Sequence, residues 1–188
     1  MQSPQSGPPT ARGLYDPRFE HDACGVGMVA DLHGRKSHDI IDQALTILEN
    51  LAHRGASGAE TNTGDGAGIL IQVPDAFLRT AVEDLPAPGS YATGLVFLSK
   101  NPDAATLARS AFESIAAEEG FAVLTWRSVP VDSSDLGDSA LAAEPLIEQV
   151  VLVSSSEQTA GRLGIDIDRC AFVVRKRAEH AIEGLYVP

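Results

Sequence analysis

Residues 22–28 read Asp22-Ala23-Cys24-Gly25-Val26-Gly27-Met28, a thiol at the mouth of an apolar, strand-like segment and directly behind a possible cleavage point. An internal cysteine at its ordinary pKa is only a few per cent thiolate near neutral pH, so a catalytic one needs a base or a charged neighbour. If the bond after Ala23 is cut, the new α-amino group of Cys24, with an unperturbed pKa near ~7.7–8.0, can accept the thiol proton without any histidine. Gly25 and Gly27 would let a substrate or another backbone come close, and Val26 and Met28 are expected to act as buried anchors. A free cysteine at the start of a strand also packs well as a small hydrophobe. From the heptapeptide alone both readings stay open.

Upstream, residues 1–13 are rich in Pro, Gly, Ser and Gln and cannot bury enough apolar surface to offset the entropy of ordering. Residues 1–23 are therefore expected to be a flexible, removable leader, although Leu14, Tyr15 and Phe19 could dock on the body that follows. The leader has neither the basic start nor the apolar stretch of a signal peptide. No apolar run in the chain approaches the ~20 residues needed to span a bilayer.

Composition narrows the function classes. With 188 residues the default is one domain with a real core. The excess of 26 acidic over 14 basic residues gives a net charge of −12, which opposes binding to nucleic acid or an anionic membrane surface. Cys24 and Cys170 are the only cysteines and show no zinc-ligand spacing. No disulfide framework is indicated, and a reducing cytoplasm fits best.

Downstream, Gly25 to Leu32 reads as a buried strand and His33-Gly34-Arg35-Lys36 as a turn out of it. Ser37 is the expected N-cap of a helix whose residues Ile40, Ile41, Ala44, Leu45, Leu48 and Leu51 recur on one face, with Gly55 as its stop. Residues 55–68 hold five glycines among small polar residues and read as a loop. A strand is predicted over Ile69 to Val73. Pro74 then opens a helix running to about Leu85, with Phe77, Leu78, Ala81 and Val82 on its buried side.

Tyr91 to Ser99 is predicted to be a strand, and Asn101-Pro102 caps and opens a helix running to Glu119. Strands are predicted over Phe121 to Val131, Ile147 to Ser154 and Cys170 to Arg175, with Cys170 in the core. Residues 132–144 read as an acidic surface loop, Ser156 to Leu163 as a connection with a helical turn, and residues 178–188 as the start of a helix. By pattern alone, the alternation of strands and helices favours a doubly wound parallel sheet. Gly64-Asp65-Gly66-Ala67-Gly68 precedes a strand instead of linking a strand to a helix, so it fits neither nucleotide-binding glycine motif.

Three motifs in order carry a specific resemblance: residues 20–27, Glu-His-Asp-Ala-Cys-Gly-Val-Gly; residues 53–56, His-Arg-Gly-Ala; and residues 63–69, Thr-Gly-Asp-Gly-Ala-Gly-Ile. They resemble the opening of the glutamate synthase large chains, whose first part is a class II glutamine amidotransferase domain. Residues 94–98, 126–131 and 173–177 are also similar to that family, so the likeness covers nearly everything after Leu14.

The resemblance implies an α+β, N-terminal-nucleophile (Ntn) hydrolase fold, an αββα four-layer sandwich with largely antiparallel sheets, in place of the parallel sheet. This chain would hold its N-terminal portion, residues 24–188, incomplete at the C-terminus. Cys24 becomes the nucleophile that attacks the side-chain amide of glutamine. Ammonia leaves, and in the complete enzyme it aminates 2-oxoglutarate to glutamate. Arg54 is a substrate-binding candidate, although an arginine at a helix C-terminus explains it equally well. His53 reads as a helix-end residue and Asp65 as a turn former.

The resemblance implies no cofactor in this stretch, but FMN and a 3Fe-4S cluster in later domains. The implied partners are glutamine, the remaining domains and a small electron-donating subunit, with NADPH, NADH or ferredoxin as the donor. The family's Asn-Gly oxyanion pair is not found, because none of Asn50, Asn62 and Asn101 is followed by glycine. Its Arg-Tyr-Ser-Thr carboxylate-binding segment is also missing. The expectation is thus a chain that supplies the nucleophile and is weak or inactive alone. Two alternatives are an inactive remnant or interaction module of the same fold, and the amidotransferase of a different synthase.

Overall fold

The computed structural model describes residues 25–52, 60, 62–64 and 66–188. The chain divides into two compact units, residues 1–70 and 71–188. The predicted leader, residues 1–23, and the expected helix stop at Gly55 lie outside the described residues.

In the first unit the predicted strand Gly25 to Leu32 does not form. The segment is irregular, and Val26, Met28 and Leu32 are almost fully exposed, so the expectation of buried anchors was wrong. Apolar content makes a strand only where a neighbouring backbone supplies the ladder, and among the described residues none pairs with it. The turn after it forms as expected. Asp31 Oδ1 accepts the backbone N–H groups of His33 (2.7 Å) and Arg35 (3.2 Å).

Helix α1 then spans Asp39–Asn50. Its N-cap is His38, one residue later than the expected Ser37, and no side chain caps it. Asp39 and Asp42 in the first turn complement the helix dipole instead. The apolar stripe is present, yet none of the helix residues is fully buried. The predicted strand Ile69 to Val73 is also irregular, with Leu70 fully exposed.

The second unit contains α2 (Asp75–Ala81), β1 (Tyr91–Leu98), α3 (Pro102–Glu118), β2 (Phe121–Ser128), α4 (Asp138–Ala143), β3 (Leu146–Ser154) and α5 (Ile165–Ala181). The strands form one sheet in the order β1-β3-β2, with both pairings antiparallel. The doubly wound parallel sheet is thereby excluded for this unit, and the class is α+β. Because β1 and β2 each oppose β3, they run parallel to each other on either side of it.

Local signals explain α3. Asn101 Oδ1 accepts the N–H groups of Asp103 and Ala104, and Pro102 has no N–H to leave unpaired. Gly120 then turns the chain into β2 at φ +83°, and the Thr159 hydroxyl donates to its carbonyl (2.6 Å). Phe112 and Ile115 on α3, Phe121 on β2, Val150 and Leu152 on β3, and Ile167 and Val174 on α5 form the main core. Trp126 stacks edge-on against Phe112 at 5.3 Å and donates its indole N–H to Glu113. A smaller cluster of Leu78, Val82, Leu85, Tyr91 and Val151 holds the α2 segment. Phe77 and Ala81, expected on the buried side of α2, are exposed. The Tyr91 hydroxyl donates to Asp75, and burial first, then that carboxylate, push its pKa up to about 12.

Two further expectations fail here. The predicted strand Cys170 to Arg175 is the middle of α5. The five apolar residues from Cys170 to Val174 mimic a buried strand, but over 165–181 only Ile167, Val174 and Ala178 are buried, at helical spacing. Cys170 is half-buried and packs against the core. The predicted loop 132–144 contains α4. After α5 the chain returns beside β1, where the Phe97 N–H donates to the Tyr186 carbonyl (2.9 Å).

Candidate active site

The two predicted site residues, Cys24 and Arg54, lie outside the described residues, as do His53 and Asp65. The segment that follows the thiol is described, and its packing is specific. Gly25 and Gly27 are two residues apart and face Leu51, the C-cap of α1, and Ile47 four residues before it on the helix. A Cβ added at Gly25 would lie 3.0 Å from Cδ2 of Leu51, and one at Gly27 would overlap Cγ2 of Ile47. The chain thus lies against the helix through its glycine face, while Val26 and Met28 point away.

The turn that joins this segment to α1 is held by one carboxylate. Besides the two backbone N–H groups, Asp31 accepts Nε and Nη2 of Arg35 at 3.1 and 3.0 Å on Oδ2. The Arg35 guanidinium first, then the backbone N–H groups, hold the Asp31 carboxyl below its ordinary value of 3.8. A folded pKa lower than the unfolded one contributes stability above the unfolded value and loses it as pH falls through the folded value. We expect the Asp31 carboxyl carbon, followed by NMR, to titrate below pH 3.8, with the turn loosening there. A midpoint at or above 3.8 would show that the Arg35 contacts do not persist in solution.

In the glycine-rich loop, an added Cβ at Gly66 or Gly68 would meet nothing within 4 Å among the described residues. The Thr63 hydroxyl donates to Glu60 at 2.6 Å. An open depression in the second unit, lined by Arg79, Val82, Glu83, Asp84 and Leu85, contains none of the predicted site residues.

Among the described residues no group of three or more His, Cys, Asp and Glu side chains could hold a metal ion. An iron–sulfur cluster is bound by several thiolates, and the whole chain has two cysteines, so these residues do not fit one. No described helix is long and apolar enough to cross a membrane.

The family model for class-II glutamine amidotransferases matches residues 24–186. The chain belongs to that family. Its match begins at Cys24. Among relatives, the chain is 41% identical over 181 residues to the glutamate synthase [NADPH] large chain of Bacillus subtilis, covering 94% of this chain and 12% of that protein. It is 47% identical over 154 residues to the glutamate synthase [NADH] of Saccharomyces cerevisiae, covering 77% of this chain and 7% of that protein. The ferredoxin-dependent glutamate synthase 2 of Synechocystis is 39% identical over 160 residues, covering 83% of this chain and 10% of that protein. The chain thus spans about a tenth of the length of the relatives it matches.

Neither the role of Asp31 nor the pairing of Gly25 and Gly27 with α1 is among the sequence-based expectations. Asp31 stands at the head of Asp-Leu-His-Gly-Arg, and an aspartate before a glycine-containing turn is a legible signal. The glycine contacts carry no local signal beyond the alternation of Gly25 and Gly27.

Proposed function

We propose that this chain supplies the nucleophile of the glutamine amidotransferase activity of a glutamate synthase. The observation that carries the reading is that the family match opens on Cys24, the residue that cleavage after Ala23 would make the N-terminus. The α-amino group takes the thiol proton, and the thiolate attacks the carbonyl carbon of the glutamine side-chain amide. The C–N bond breaks, ammonia leaves, and water hydrolyses the glutamyl thioester, releasing glutamate and restoring the thiol.

In the complete enzyme the ammonia aminates 2-oxoglutarate to glutamate. Arg54 contributes to glutamine binding. The oxyanion donors and the remaining carboxylate contacts come from residues other than those of this chain, which has no Asn-Gly pair. FMN and a 3Fe-4S cluster belong to other domains, and a small subunit can deliver electrons. The relatives are named for NADPH, NADH and ferredoxin, so similarity leaves the donor open. The fold proposed for residues 24–188 is part of the four-layer Ntn-hydrolase sandwich, in the cytoplasm, with residues 1–23 as the propeptide.

Intact mass of the active protein tests this reading. Loss of the first 23 residues is expected, leaving Cys24 as residue one of the product. Active enzyme with an uncut leader would overturn it.

A further inference from the structure

The repeat distances of the two partners explain why a glycine pair meets α1. Four residues of helix advance about 6 Å and two residues of extended chain about 6.6 Å. Positions i and i+4 along a helix and its cap can therefore receive residues j and j+2 of an extended segment, and Ile47 and the C-cap Leu51 receive Gly27 and Gly25 in that way. The segment runs antiparallel to the helix, and the Asp31 turn connects the two.

We infer that Ile47 and Leu51 are positioning residues for the nucleophile, fixing the backbone that leads out of Cys24 by steric fit against Gly27 and Gly25. The inference rests on Cys24 being the nucleophile. Cys24 is bonded to Gly25, so any shift of Gly25 along or away from α1 is passed to the thiol through one peptide unit. A Cβ at position 27 would lie 2.3 Å from Ile47 Cγ2, so it fits only if one of the two shifts, while the Cβ of Ile47 itself would lie 3.5 Å away, an ordinary contact. Removing the Ile47 side chain beyond Cβ therefore makes room for the methyl group of an alanine at 27. The two positions form a size-complementary pair.

The test is steady-state glutamine hydrolysis by the complete, processed enzyme that carries this chain. Gly27→Ala is expected to lower kcat, by up to about 10²-fold, with the KM for glutamine little changed, because the displaced group is the attacking atom. Ile47→Ala alone is expected to lower kcat by leaving the segment unsupported. Gly27→Ala with Ile47→Ala is expected to recover most of the loss and to exceed either single variant.

Amide hydrogen exchange over α1, residues 39–50, read by peptide mass mapping, is the control for folding of the first unit and is expected to stay close to wild type in all three. If Gly27→Ala unfolds the first unit and speeds exchange over α1, Ile47→Ala still decides, since it introduces no overlap. The inference is overturned if Ile47→Ala retains wild-type kcat, if KM moves in place of kcat, or if the double variant is no better than the singles. A Cys24→Ala protein that still hydrolyses glutamine would instead sink the nucleophile assignment, whatever the glycine variants do.

Discussion

Cys24→Ala in the complete, processed enzyme is expected to lower glutamine hydrolysis by a factor on the order of 10⁴ to 10⁶, the scale on which removing a covalent nucleophile acts. On the proposed mechanism the alanine protein, once cut after Ala23, keeps the base but has no atom to form the thioester. Water would have to attack the amide directly. Adding one residue ahead of Cys24 is the complementary change, since it keeps the thiol and removes the free amine. If that amine is the general base, the added residue costs about 10² to 10⁴ in rate. Ammonia release at saturating glutamine reads both. A Cys24→Ala protein with a tenth of the original rate would remove the thiol from the mechanism.

Arg109→Ala is expected to destabilise the second unit by about 3–5 kcal/mol. The Glu148 side chain on β3 is 8% exposed and that of Arg109 on α3 is 28% exposed. They meet through two parallel hydrogen bonds, Nε to Oε2 at 2.7 Å and Nη2 to Oε1 at 2.8 Å. The hydrogen bond to Glu148 raises the pKa of Arg109 above its ordinary value. Truncating the arginine leaves a carboxylate in the core with no cation, and that desolvation cost exceeds the loss of the pair itself. Glu148→Gln, which keeps a hydrogen-bonding group and removes the charge, is expected to cost less. Replacing both by apolar residues of similar volume is expected to be near neutral. Urea unfolding followed by tryptophan fluorescence reads these changes, since Trp126 packs against the same core. An Arg109→Ala cost under about 1 kcal/mol would mean that Glu148 finds water or another partner.

The parts of the fold that could be read in advance are those decided by adjacent residues. Asn101 and Pro102 specify the start of α3 through two side-chain hydrogen bonds and a missing N–H, so no distant partner was needed. The strands Tyr91–Leu98, Phe121–Ser128 and Leu146–Ser154 fell within a few residues of their expected ends. Gly25 to Leu32 failed because a strand depends on a neighbour that its own residues do not encode. The middle of α5 failed because Cys170 to Val174, taken as five residues, has no visible helical period. Antiparallel pairing was legible through the motif resemblance, and helix–strand alternation by itself pointed the other way.

For the site, motif order led to the family, which the match over residues 24–186 bears out. The contact of Gly27 with Ile47 could not be read, because it joins positions twenty residues apart.

The strand order β1-β3-β2 has a consequence for how the chain is made. β3 lies between the other two, yet it is the last of the three to be synthesised. While translation has not passed Ser154, the strands at 91–98 and 121–128 have no ladder to join, since neither is the other's neighbour. A growing chain therefore carries two unpaired, apolar strand segments for the time taken to add the 26 residues from Val129 to Ser154. That interval is when a chaperone would have most to hold, and when two nascent chains close together would be most apt to pair with each other. The arrival of β3 closes both ladders together.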